Sequence, residues 1–251
     1  MPHLISERPR LLDLTKGRND LRAQFRWETI NAVFYKLGGL TFVIGSLFFF
    51  PSLAPWIDIG AWTFFGGSLL YLTVTAHDLL EVLRHRRARA EPDVNDRLEL
   101  IAACTYLIGT LLFVAGSLLF LSFIDRIQAG AWCFIIGSLL FVVGASVNVL
   151  QVPIKSRRSN LQLINLTAVT FVTGSVLFTV ASIPYLWSPP TAADAEVLDR
   201  FLAAQYLVGS LLFFAGGITN YLRAYLFIRR RIREQAEAKA SRPPTSTRDE
   251  A

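Results

Sequence analysis

A chain of 251 residues that is 53% hydrophobic and only 18% charged, with a mean hydropathy of +0.42, is too apolar to be a soluble domain of its length. Its net charge of +6 and pI of about 9.6 would fit a nucleic-acid binder, but the basic residues flank apolar runs. Membrane topology and anionic headgroups account for them, and no nucleic-acid partner is expected.

Residues 1–28 read as a cytoplasmic N-terminal segment. It is basic but lacks the apolar core and small-residue cleavage site of a signal peptide, so the first span is expected to insert uncleaved. Leu11, Leu12, Leu14, Leu21, Phe25 and Trp27 among basic residues predict an interfacial helix over 9–27, weakened by Gly17. Six apolar runs follow, near 33–53, 59–80, 100–122, 129–151, 162–183 and 200–226. Each is about 20 residues long, the thickness of a bilayer, and has no polar face. Hydrocarbon offers nothing to pair with backbone polar groups, so each run should be a helix. The alternating segments of about 10 residues that build a membrane barrel are absent from the sequence. The turns after the first and third runs are short, PSLAPWID (51–58) and SFIDRIQA (122–129); the turn after the fifth is longer (183–199). Polar stretches at 84–97 and 152–160 separate the pairs. The predicted fold is all-α integral membrane: six transmembrane helices as three repeated hairpins, at 29–89, 98–158 and 159–231, before a disordered cytoplasmic tail at 232–251.

A Gly-Ser pair followed by two apolar residues and an aromatic marks every run, at Gly45, Gly67, Gly116, Gly137, Gly174 and Gly209. In the second helices the copies are spaced by 70 and 72 residues; in the first helices by 71 and 58. The second helices of the first two units also open alike, with Gly60-Ala61-Trp62 and Gly130-Ala131-Trp132. Further small residues lie seven before or after most motif glycines, such as Gly38, Gly60, Gly109, Gly130, Gly144 and Gly216. Seven residues is nearly two helical turns, about 10.5 Å, so these glycines share a face. Small residues on one face let backbones approach closely, the main packing device in lipid. The motif therefore predicts the seam of each hairpin, with Gly45 and Gly67 at similar depth and each serine bonded back to the carbonyl one turn earlier. The alternative is that the six serines ring a narrow polar pathway.

Of the 25 Lys and Arg, only Arg126 and Arg200 lie on the side of the short turns. The positive-inside rule puts both termini in the cytoplasm. Trp56, Trp62, Trp132, Tyr185 and Trp187 form an expected outer aromatic belt, and Trp27, Tyr35, Tyr106, Tyr221 and Tyr225 an inner one.

Eleven residues beyond the motif glycine of each second helix stand Asp78, Asn148 and Asn220. His77 and Glu81 accompany the first, Gln151 the second and Arg223 the third. Polar groups inside a membrane are costly and often functional. These lie near the cytoplasmic interface, where that cost is small, so they are expected to face outward as interfacial anchors, with a substrate or ion site as the alternative. Cys104 and Cys133 sit in separate runs without a C-x-x-C and read as buried small apolar residues. His3, His77 and His85 have no Cys or second His at ligand spacing. Hydrolase, zinc-protease and phosphate-loop motifs are missing, as are a transmembrane histidine pair and a mid-membrane carboxylate pair. No catalytic, cofactor-binding or metal-ligating residue is predicted, and no enzyme.

The pattern of a small-residue first helix with GS-[LV]-[LF]-F, a short turn, GAW-x-F-x-x-GSLL-[FY] and a basic exit resembles the YrhK-like family of small bacterial membrane domains. The resemblance is closest over 38–84 and 109–151 and weaker over 164–228. It implies a bacterial integral membrane protein and carries over no catalytic residues. That family usually forms a single hairpin, so three in one chain departs from its common form. The function expected is a non-enzymatic structural, interaction or accessory module. Its partners would be the bilayer, anionic headgroups at the cytoplasmic face, and a second copy or another membrane protein. The alternative is a small-solute or ion channel or transporter. A membrane enzyme would need clustered ionisable groups near one interface, where only His77, Asp78 and Glu81 come close.

Overall fold

A computed structural model of the chain describes residues 21–88, 94–150, 158–187, 189 and 191–240. Six α-helices account for the six apolar runs: α1 (Leu21–Leu47), α2 (Ile57–Ala88), α3 (Val94–Leu119), α4 (Ile127–Leu150), α5 (Arg158–Ser182) and α6 (Ala192–Ala240). All six contain a stretch long and apolar enough to cross a membrane, and the described residues hold no strand. The protein is an all-α membrane protein.

The helix ends follow from local chemistry. Phe50 is extended and Pro51 opens a 3-10 turn (Pro51–Trp56), because proline fixes φ and lacks a donor to continue α1. Ser52, which stands seven residues after Gly45 and would continue its small-residue stripe, therefore sits exposed in that turn. After α3 the chain reverses through Asp125, which at φ 48 occupies the left-handed region that Asp tolerates better than most residues. After α5, Pro184 lies in a second 3-10 turn (Ile183–Leu186). At the other membrane face the helices overrun the expected spans. α1 begins at Leu21, so residues 21–27 run directly into the first span; the rest of the predicted interfacial helix lies outside the described residues. α6 continues for 49 residues to Ala240. At 1.5 Å per residue it is about 73 Å long, more than twice the hydrocarbon thickness. Residues 232–240 are thus helix where a disordered tail was expected.

Each helix packs against its chain neighbours, and α6 packs back against α1, so the six helices close into a ring. The outer surface carries aliphatic side chains such as Ile44, Leu111, Leu139, Val176 and Leu211. Trp56, Trp62, Trp132 and Trp187 stand exposed toward the end of the ring that carries the short turns, as an interfacial belt should.

The seam of each hairpin is glycine against glycine. A methyl group on Gly109 would lie 2.9 Å from the Gly137 carbonyl oxygen, and one on Gly137 would lie 2.9 Å from that of Gly109. Gly45 and Gly60 face each other in the same way, at 3.1 and 3.0 Å, as do Gly174 and Gly209, at 3.0 and 3.1 Å. A methyl at these crossings would be tighter than ordinary packing, and the glycines let the backbones approach closely. The depth expectation needs correction: Gly45 meets Gly60, and Gly67 meets Gly38, so the pairs are offset by one heptad.

The third hairpin corrects the repeat itself. Gly67, Gly137 and Gly209 pack on the rings of Phe42, Phe113 and Phe178. The hydroxyls of Ser46, Ser117 and Ser182 donate to the carbonyls of those same phenylalanines, each at 2.7 Å. Gly174 is therefore the counterpart of Gly38 and Gly109, not of Gly45 and Gly116. The structural spacing of the first helices is 71 and 65 residues rather than 71 and 58. The third motif has slipped by seven residues along its helix.

Candidate functional site

Aromatic rings, one from each hairpin, fill the axis of the ring. Phe64, Phe134 and Tyr206 form one triad, with centroids 6.2, 6.2 and 6.3 Å apart. Phe42, Phe113 and Phe178 form the next, at 6.1, 6.2 and 5.7 Å. All six side chains are almost fully buried. Phe120 packs against Tyr185 at 5.4 Å on the side of the short turns. Aromatic contacts at these separations are favourable in tilted and edge-on geometry, so the two triads pack the axis.

On the inner side of the second triad lies a cavity of about 20 Å³, lined by Tyr35, Tyr71, Tyr106, Thr75 and Thr110 together with phenylalanine rings. That is space for about one water. Thr75 and Thr110 donate to the carbonyls of Tyr71 and Tyr106 in their own helices. Tyr35 and Tyr106, expected in the inner belt, belong to this core instead: each is 5% exposed or less.

Next comes a buried polar layer. Asp78, Asn148 and Asn220 are 3%, 4% and 6% exposed, so they point into the bundle and are not outward anchors. Asn148 Nδ2 donates to Tyr106 Oη at 3.2 Å. Arg223 Nη2 donates to Asn220 Oδ1 at 3.3 Å. Asp78 holds the α2 position of this layer. Beside it, His77 Nε2 lies 3.9 Å from Glu81 Oε1. Ligand atoms of His77, Asp78 and Glu81 all fall within 4.8 Å of one another.

Two more buried acids, Asp96 and Glu99, open α3, where the helix N-terminus favours negative charge. Asp58 on α2 accepts hydrogen bonds from the Ser122 backbone and hydroxyl at 2.8 and 2.6 Å, which fixes the register of α2 against α3 at the other end of the bundle. Counting 23 residues from each puts Glu81 and Glu99 at one level. His77, Asp78, Glu81, Asp96, Glu99 and Arg223 all have interaction partners within the protein. Their i, i+3 spacing marks Asp96 and Glu99 in the sequence as sharing a helix face; that the face is buried is a tertiary fact.

Ser46 Oγ meets Ser210 Oγ at 3.1 Å between α1 and α6, at a contact between hairpins where Gly39 and Gly217 also let the helices approach closely. Ser46 and Ser117 bond back to the preceding turn as expected, whereas Ser68, Ser138 and Ser175 are buried without a hydrogen-bond partner.

The YrhK-like protein family matches the chain twice, over residues 25–83 and 96–152. These stretches cover the α1–α2 and α3–α4 hairpins; the slipped α5–α6 hairpin lies outside them. No curated protein and no solved structure matches the chain. The two matched units, each a glycine-seamed transmembrane hairpin, are YrhK-like units in tandem.

Proposed function

We propose that the protein is a non-conducting, non-enzymatic module of the bacterial cytoplasmic membrane, with both termini in the cytoplasm and a structural or accessory role beside other membrane components. The observation that carries this reading is the filled axis: two successive aromatic triads where a channel would need an aperture. Glycine seams within the hairpins and a serine contact between them support a rigid scaffold rather than an alternating one. The inner end of α6 carries exposed Arg229, Arg230 and Arg233, a chemistry suited to anionic headgroups at the cytoplasmic face. A second copy or another membrane protein would dock against the lipid-facing surface.

The test is flux. Proteoliposomes holding the wild-type protein should show proton and potassium permeability no greater than empty vesicles. The Phe42→Ala/Phe113→Ala/Phe178→Ala variant, which removes one triad, serves as an opened control. Transport by the wild type that disappears in Asp78→Ala/Asn148→Ala/Asn220→Ala would overturn the reading in favour of a channel or transporter.

A further inference from the structure

We propose that the inner end of the first hairpin is a divalent transition-metal site, with His77, Asp78 and Glu81 as ligands and Asn31 facing them across the hairpin. This goes beyond the scaffold reading and does not depend on it.

The donor set comes first. One imidazole nitrogen with two carboxylates suits zinc, manganese, iron, cobalt or nickel, whereas magnesium and calcium prefer oxygen alone. His77 and Glu81 stand at i and i+4, the spacing by which a single helical turn chelates zinc in metalloprotease helices. Asp78 is the next residue round the helix. Donor atoms of the three already lie within 4.8 Å of one another. An ion held at about 2.1 Å from each would set them about 3.0–3.4 Å apart, so small side-chain rotations close the site. Asp78 and Glu81 are 3% and 8% exposed, and gathering two carboxylates in an apolar bundle is costly unless positive charge joins them.

The internal repeat acts as a control. At the positions of His77, Asp78 and Glu81 the second hairpin has Val147, Asn148 and Gln151, and the third has Thr219, Asn220 and Arg223. The same helix packs in the same place with neutral amides at the central position, so packing does not require these acids. Acid and imidazole are concentrated in one unit only.

Asn31 is the second, independent observation. It is 5% exposed, and its Nδ2 has no hydrogen-bond partner. In the third hairpin the corresponding residues are Thr167 and Thr219, and their hydroxyls meet at 2.8 Å. The repeat thus sets Asn31 opposite His77. An asparagine amide can present its oxygen by a flip, and a carbonyl oxygen is the natural fourth donor beside one nitrogen and two carboxylates.

The experiment uses the full-length protein in detergent, purified through a histidine-free tag. Zn²⁺ titration by calorimetry and Co²⁺ titration by its visible absorption should each saturate at one ion per chain, with Zn²⁺ displacing Co²⁺ and millimolar Mg²⁺ leaving it bound. His77→Val, Asp78→Asn and Glu81→Gln should each weaken binding at least tenfold, and the triple variant should abolish it. Asn31→Ala should weaken it less. Because the triple variant installs residues of the second hairpin, its circular dichroism and elution volume should match the wild type. Absence of saturable binding in the wild type, undiminished binding in the folded triple variant, or displacement of Co²⁺ by Mg²⁺ would each overturn the site.

Discussion

Ser46 and Ser138 occupy the same place in the motif but differ in their bonds. Ser46 donates to the Phe42 carbonyl and meets Ser210, while Ser138 is buried without a partner. A satisfied buried hydroxyl contributes about 0.5–1.5 kcal/mol, and an unsatisfied one costs stability. Ser46→Ala should therefore lower stability by about 1 kcal/mol, whereas Ser138→Ala should be neutral or stabilising; thermal unfolding in detergent reads both. Phe113, 1% exposed within its triad, should cost about 3–5 kcal/mol as Phe113→Ala, against little change for the lipid-facing Leu111→Ala. Equal losses at Phe113 and Leu111 would remove the evidence for a packed axis. The sequence marks Tyr35, Tyr106 and Asp78 by depth alone. Depth along a helix is set by counting residues, but facing is set by packing. In a helix apolar on all sides, nothing in the composition separates the lipid side from the core side. That is why Asp78, Asn148 and Asn220 read from sequence as outward anchors, and why His77, Asp78 and Glu81, which the sequence groups near one interface, do not read as buried.

Helices pack here by heptads of small residues, and the same periodicity that makes the seam also hides its register. A helix moved by seven residues along its axis presents nearly the same face. The motif in α5 can therefore stand one heptad out of step with α1 and α3 while every motif match still reads correctly. The six spans, the three hairpins and the role of glycine were legible because bilayer thickness fixes span length and close approach demands small side chains. The pairing of Gly45 with Gly60, and the slip of Gly174, were not. Gly66 in α2 and Gly137 in α4 give the sharpest test of the seam. A methyl on Gly66 meets nothing within 4 Å. One on Gly137, the counterpart of its neighbour Gly67, meets Phe113 Cδ2 at 2.8 Å as well as the Gly109 carbonyl oxygen. Gly66→Ala should stabilise by about 0.5–1 kcal/mol through helix propensity. Gly137→Ala should destabilise by about 1–3 kcal/mol through overpacking, and Gly137→Leu by more. Unfolding titrations that rank these variants in the opposite order would contradict the glycine seam.

At the scale of the molecule, three hairpins of one design close a ring around a filled axis, with the polar layer confined to one end. Orientation in the membrane is tested by impermeant maleimide on whole cells, in a Cys104→Ser/Cys133→Ser background. Ser52→Cys and Ala193→Cys should label from outside, and Ser241→Cys only after lysis; the reverse pattern would invert the orientation. Ring closure is the feature least available from sequence, because the contact between α1 and α6 joins residues 164 apart and no local rule specifies it. It is also what makes the axis closed. In the same background, Ser46→Cys with Ser210→Cys replaces two hydroxyls whose oxygens lie 3.1 Å apart. A closed ring predicts that mild oxidation in membranes joins them into a disulfide within one chain, seen as loss of both free thiols and a cross-linked peptide by mass spectrometry. Two thiols that stay free, or a link that forms only between chains, would contradict the ring and with it the sealed axis.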